Sequence, residues 1–88
     1  MRAQALVARN IRRLRVRLGL SQEALAVDAA IDRTYVSRLE RGLENPSVLI
    51  LEKLAGALQV SIPELFVPPV KGEAAPQPLK GGRRPRMR

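Results

Sequence analysis

Leu18-Gly19-Leu20-Ser21-Gln22-Glu23-Ala24-Leu25-Ala26, then Val27-Asp28-Ala29-Ala30, then Ile31-Asp32-Arg33-Thr34-Tyr35-Val36-Ser37-Arg38-Leu39-Glu40-Arg41-Gly42-Leu43-Glu44-Asn45-Pro46, is the stretch that decides the fold. It reads as two short helices joined by a turn. Ser21 caps the first, which keeps Leu25, Ala26 and Ala29 on one side; Asp32 caps the second, which keeps Val36 and Leu39 on one side. Opposite those two apolar residues the second helix carries Thr34, Ser37, Arg38 and Arg41, with Arg33 in its first turn. A polar, cationic face backed by an apolar one is suited to reading DNA.

The pattern continues on both sides. Val7, Ile11, Leu14 and Leu18 recur at spacings of four, three and four, which predicts an amphipathic helix over about 3–18, ended by Gly19. Its other face carries Arg9, Arg12, Arg13 and Arg17, expected as a solvated surface that attracts phosphate without reading bases. The second helix is expected over about 21–28 and the third over 32–41, where Gly42 stops it. Glu44-Asn45-Pro46 then turns the chain, and Ser47 caps a fourth helix running to about Leu58, with Leu51, Leu54, Ala55 and Leu58 as its buried stripe. Ser61-Ile62-Pro63-Glu64 combines a cap serine, a first-turn proline and a glutamate three residues after the cap, which starts a fifth short helix through Phe66.

Composition divides the 88 residues in two. Residues 1–66 hold ten Lys/Arg and seven Asp/Glu, whereas 67–88 hold six and one, so the net charge of +8 splits into about +3 and +5. The second part also holds five of the seven prolines and three of the six glycines. Such a segment buries too little surface to offset its chain entropy, so 68–88 is expected to be a disordered basic tail behind a folded domain over 1–67. Cysteine and histidine are absent, which removes disulfides, the usual zinc ligands and the commonest general base. With no clustered carboxylates either, neither an enzyme nor a metal or cofactor site is expected. No apolar run approaches the ~20 residues of a membrane span, and a cytoplasmic location is expected. A 60-residue unit buries only roughly 60% of its unfolded surface, so pairing with a second copy would help it.

Gly19-Leu20-Ser21-Gln22, Leu25-Ala26, Ile31, Val36-Ser37, Glu40, Gly42, Pro46, Leu54-Ala55 and Leu58 together resemble the Cro and phage-repressor (XRE-like) helix-turn-helix family of bacterial and phage regulators. The resemblance covers about residues 6–66, and the Arg33-Thr34-Tyr35 run looks most like the controllers of restriction-modification genes. It implies that the third helix enters the major groove while the second lies across the backbone. Arg33 and Thr34 match the principal base-reading positions, with Ser37 and Arg38 on the next turn. Gln22, Tyr35, Arg41 and Asn45 match phosphate-binding positions. Chemistry agrees, since a guanidinium donates two parallel bonds to guanine O6 and N7 and a threonine methyl suits thymine. A site containing guanine is therefore expected.

The same resemblance implies an ion pair between Arg15 and Glu40, bridging the first and third helices. It also implies a homodimer contact at the end of the fold, where Leu65, Phe66 and Val67 join Ile62 in an apolar cluster; core packing is the alternative for these residues. A dimer predicts a palindromic operator on double-stranded DNA. One position departs from the family: Ala30 stands where the turn usually has glycine, and a left-handed alanine costs on the order of 1 kcal/mol. The leading reading is thus a dimeric, sequence-specific transcription regulator, a repressor or autoregulator. The competing reading is an antitoxin-like interaction module whose tail folds on a protein partner while the folded part binds DNA.

Overall fold

The structure, a computed structural model, describes residues 2–69. Four α-helices, α1 (Ala3–Arg17), α2 (Gln22–Ala29), α3 (Arg33–Glu40) and α4 (Val48–Leu58), are followed by a 3-10 segment, Ile62–Phe66, with no strand among the described residues. None of these helices is long and apolar enough to cross a membrane. The expected tail lies, from residue 70 on, outside the described residues, and with it any partner surface carried there.

Three of the helices start on a side-chain cap. Ser21 Oγ accepts from the Ala24 amide at 2.9 Å, an Asp32 carboxylate oxygen accepts from the Thr34 amide at 3.0 Å, and Ser47 Oγ accepts from the Ile50 amide at 3.1 Å. Each bond satisfies an amide that the first helical turn leaves without a partner.

All four helices end alike. After each, a residue with positive φ reverses the backbone, and the next amide donates to the carbonyl five residues back: Leu20 to Arg15, Ile31 to Ala26, Leu43 to Arg38 and Val60 to Ala55, at 2.9–3.0 Å. Glycine supplies the reversal at Gly19 (φ 73°) and Gly42 (φ 74°), but Ala30 (φ 58°) and Gln59 (φ 63°) supply the other two. Ala30 therefore leaves the turn between α2 and α3 unremodelled and accepts the left-handed conformation despite its Cβ.

Val7, Ile11 and Leu14 of α1 meet Leu25, Ala26 and Ala29 of α2, Val36 and Leu39 of α3, and the α4 stripe of Leu51, Leu54, Ala55 and Leu58 in one core. The C-terminal cluster corrects two expectations. Residues 62–66 form a 3-10 turn, not an α-helix: the Glu64 amide donates to the Ser61 carbonyl three residues back, and the Ser61 side chain makes no cap. In 3-10 geometry positions i and i+3 align, so Ile62 and Leu65 turn inward together. Leu65 is 0% exposed and fills the core of its own chain, the alternative weighed for it, which leaves it no surface for a dimer contact; Phe66 and Val67 remain exposed.

Asn10 locks this end in place. It is fully buried on the apolar side of α1, and its Nδ2 donates to the carbonyls of Leu65 at 3.0 Å and Val67 at 2.9 Å. Its Oδ1 accepts from Arg13 Nε at 3.2 Å and Nη2 at 3.1 Å and from Arg9 Nη1 at 3.4 Å. Two arginines expected to be merely solvated thus lean on a buried amide.

Replacing Ala30 with glycine relieves the left-handed strain of roughly 1–2 kcal/mol at a smaller cost in unfolded-chain entropy. A30G is expected to raise the melting temperature by about 4 °C, as measured by circular dichroism; an unchanged or lower value would count against strain at this turn.

Candidate nucleic-acid interface

α3 owes its position to what lies beneath it. Val36 and Leu39 are buried, and on the other side Arg33, Thr34, Arg38 and Arg41 are exposed, with Ser37 half-buried between the two. The structure therefore gathers the four expected base-reading residues on one helix face. Arg41 stays close to that helix, its Nε donating to the Ser37 carbonyl at 3.4 Å. Asn45 is exposed in the loop that follows.

Tyr35 departs from this pattern, since its ring is half-buried against the core. Burial, and secondly the negative charge of Glu44, raise its pKa above the usual 10.0. The phenol is protonated at neutral pH even at the ordinary value and keeps a hydrogen to donate.

The buried ion pair is a bidentate fork. Arg15 Nε meets Glu40 Oε2 at 2.6 Å and Nη2 meets Oε1 at 2.9 Å, with side chains 6% and 3% exposed. Arg15 Nη1 also donates to the Leu20 carbonyl at 2.8 Å, tying in the loop before α2. Gln22 completes the cluster, its Nε2 donating to Glu40 Oε1 at 3.0 Å. That amide carries two hydrogens, so one is held by Glu40 and one remains for an outside acceptor. Gln22 stands at the start of α2, where first-turn amides point outward and favour anions.

Three residues of this region escaped the sequence reading. Gln4 of α1 donates from Nε2 to the Glu44 carbonyl at 2.7 Å, pinning the α3–α4 loop to α1. Glu44 accepts from Arg38 Nε at 2.7 Å. Asn10, the third, left one trace: a polar residue three after Val7 and four before Leu14, within the apolar stripe. No such trace exists for Gln4 or Glu44, whose partners are set by tertiary approach. Among the described residues no group of three or more His, Cys, Asp or Glu could hold a metal ion.

A short helix packed on a second one, with its polar face outward and its apolar face held against α1 and α2, defines a helix-turn-helix module. The Helix-turn-helix family profile matches residues 11–65, and the chain belongs to that family. It is 46% identical over 66 residues to a hypothetical transcription factor of Neisseria meningitidis, covering 75% of this chain and 62% of that protein. The chain thus spans less than two thirds of that relative's length. The crystal structure of the Neisseria factor gives a TM-score of 0.75 at 44% identity, covering 77% of this chain and 78% of that one. The restriction-modification controller protein C.AhdI of Aeromonas hydrophila gives 0.70 at 43% identity, covering 72% and 96%. A third similar structure, the controller C.Esp1396I as a tetramer with its natural 35-base-pair operator, gives 0.69 at 33% identity, covering 75% and 87%.

Because both partners of the Arg15–Glu40 pair are buried, removing one leaves an uncompensated charge. E40A is expected to lose roughly 3–5 kcal/mol in urea denaturation, and the double variant with R15A to lose clearly less than the two single losses added together. Strict additivity would mean that the pair does not act as a unit.

Proposed function

We propose that this chain is a homodimeric transcription regulator, a repressor or autoregulator, that reads a palindromic operator by placing α3 in the major groove. The observation that carries the reading is the two-sided character of α3: Val36 and Leu39 fully packed beneath, and Arg33, Thr34 and Arg38 exposed together above. Arg33, at the N-terminal end of the helix, and Arg38 offer guanidinium forks to guanine O6 and N7, Thr34 a methyl to thymine, and Ser37 a hydroxyl. Gln22, Tyr35, Arg41 and Asn45 hold the phosphates on either side and set the register. The similarity to a controller solved on its operator supports the DNA-binding role. Residues 1–67 form the DNA-binding unit in this reading, and the six cations of 67–88 add sequence-independent attraction.

Dimer formation in this reading uses Phe66 and Val67, each 38% exposed at the end of the fold. Two copies related by a two-fold axis place their α3 helices about 34 Å apart, and so on half-sites about 10 base pairs apart.

Selection of bound sites from random duplex DNA by the purified chain is expected to return a two-fold symmetric sequence with guanine in each half. On that sequence R33A should cost about 1–3 kcal/mol and relax the preference at one position per half-site. Equal affinity for all duplexes would sink the reading. Sedimentation tests the dimer separately: F66D is expected to shift the chain to monomer and to weaken operator binding, while a wild-type chain that is monomeric on and off the operator would refute the pairing.

A further inference from the structure

The loop after α3 places a carboxylate on a surface that otherwise attracts phosphate. Glu44 accepts from Arg38 Nε at 2.7 Å, in a pair whose side chains are 45% (Arg38) and 26% (Glu44) exposed. Its backbone is held from two directions. The Leu43 amide donates to the Arg38 carbonyl at 3.0 Å, and Gln4 reaches from α1 to the Glu44 carbonyl at 2.7 Å. Pro46 confines Asn45, the residue that follows Glu44, to extended conformations. The carboxylate lies close enough to Tyr35 for its charge to raise the pKa of that phenol, after the larger effect of burial. An acid in this place repels every DNA sequence alike, so it lowers affinity in general. Such a group raises specificity only if its cost is cancelled on the right sequence.

We propose that Glu44 is a specificity-determining residue, which keeps the Arg38 guanidinium off DNA phosphates and presents it to a guanine edge. The proposal rests on the reading of Arg38 as a base-contacting residue. On a duplex without guanine at that step, a phosphate meets a guanidinium whose Nε–H is already held by a carboxylate at 2.7 Å and whose charge that carboxylate offsets, so the contact brings little gain in charge pairing. Arg38 then stays on Glu44 and adds little to the affinity. In the register where the other contacts of α3 are made, O6 and N7 of guanine, which carry no net charge, offer two parallel acceptors to the N–H groups that Glu44 leaves free, so the pair need not be broken. Arg38 thereby distinguishes guanine from the phosphates that every sequence shares.

Neutralising the acid with E44Q frees Arg38 for any phosphate. Affinity for a scrambled duplex is expected to rise about threefold to fivefold, the range of an exposed ion pair. The slope of log affinity against log salt on that duplex should steepen by about 0.9, one added phosphate contact. On the selected duplex affinity should change by about twofold or less, so the ratio between the two narrows. E44A, which also removes the acceptor, should act in the same direction, and combining E44Q with R38A should abolish the gain on scrambled DNA. An equal rise on both duplexes, or a rise that survives R38A, makes Glu44 a general repeller and overturns the proposal. R33A and R38A relaxing the preference while E44Q leaves the ratio unchanged overturns it alone. A wild-type chain with no preference for the selected duplex overturns the base-reading function as well.

Discussion

Arg15 and Glu40 are the charges that this fold takes out of water, and the placement of α2 and α3 follows from how they are satisfied. A buried carboxylate is tolerated only when its oxygens have partners. Glu40 finds them in the two arms of Arg15 and in the Gln22 amide, and Arg15 spends a further nitrogen on the Leu20 carbonyl. The cluster therefore joins the last turn of α1, the loop before α2, the start of α2 and the end of α3. Apolar packing alone holds α3 to the core without fixing its rotation closely. A bidentate fork has a plane and a direction, and it sets which side of α3 faces outward. The same cluster orients Gln22, so the proposed phosphate contact and the proposed reading helix share one anchor.

Four similar helix ends explain how so short a chain makes such sharp turns. Each end needs a left-handed residue, and two of the four are glycine. Where alanine or glutamine takes the position, the strain is carried by the bond that follows it, from Ile31 to Ala26 and from Val60 to Ala55. Ile31 and Val60 are themselves partly buried against the core, so apolar contact adds to the bond in closing these ends. The turn between α2 and α3 keeps its geometry without glycine because its neighbours determine it.

What the sequence discloses is what repeats or caps. The four helices fall within about a residue of their expected spans, because apolar spacing, cap residues and the two glycines are local signals. The pairing of Arg15 with Glu40 was available only through resemblance, since nothing in the spacing of residues 25 apart requires them to meet. Gln4 and Glu44, 40 apart, meet only after α1 and the α3–α4 loop have been brought together by the core. The C-terminal segment misled for a different reason. Five residues are too few to establish a helical period, and cap-like residues at Ser61 and Glu64 mark a turn as well as a helix. Leu65 has a separate origin: the resemblance places it at a dimer contact with core packing as the alternative, and the 3-10 turn, which aligns it with Ile62, sends it inward.

Charge is distributed across this small domain with a purpose that its net value hides. Of the seven acids in residues 1–66, Glu40 is buried beneath α3, Asp32 caps its start and Glu44 lies at its end against Arg38. Glu40 is matched by Arg15, so Asp32 and Glu44 are the acids that flank the helix whose outer face carries Arg33, Arg38 and Arg41. Were affinity for DNA the only requirement, that concentration of negative charge would be misplaced. Binding to arbitrary sequence is governed by counterion release and grows with every phosphate a cation reaches, so an unopposed basic face raises affinity for every sequence alike. Acids that cap and position the helix keep its geometry exact while limiting that indiscriminate attraction. A fold of this size has few residues to spare for discrimination, and here groups that shape the proposed reading helix are also those that temper its charge.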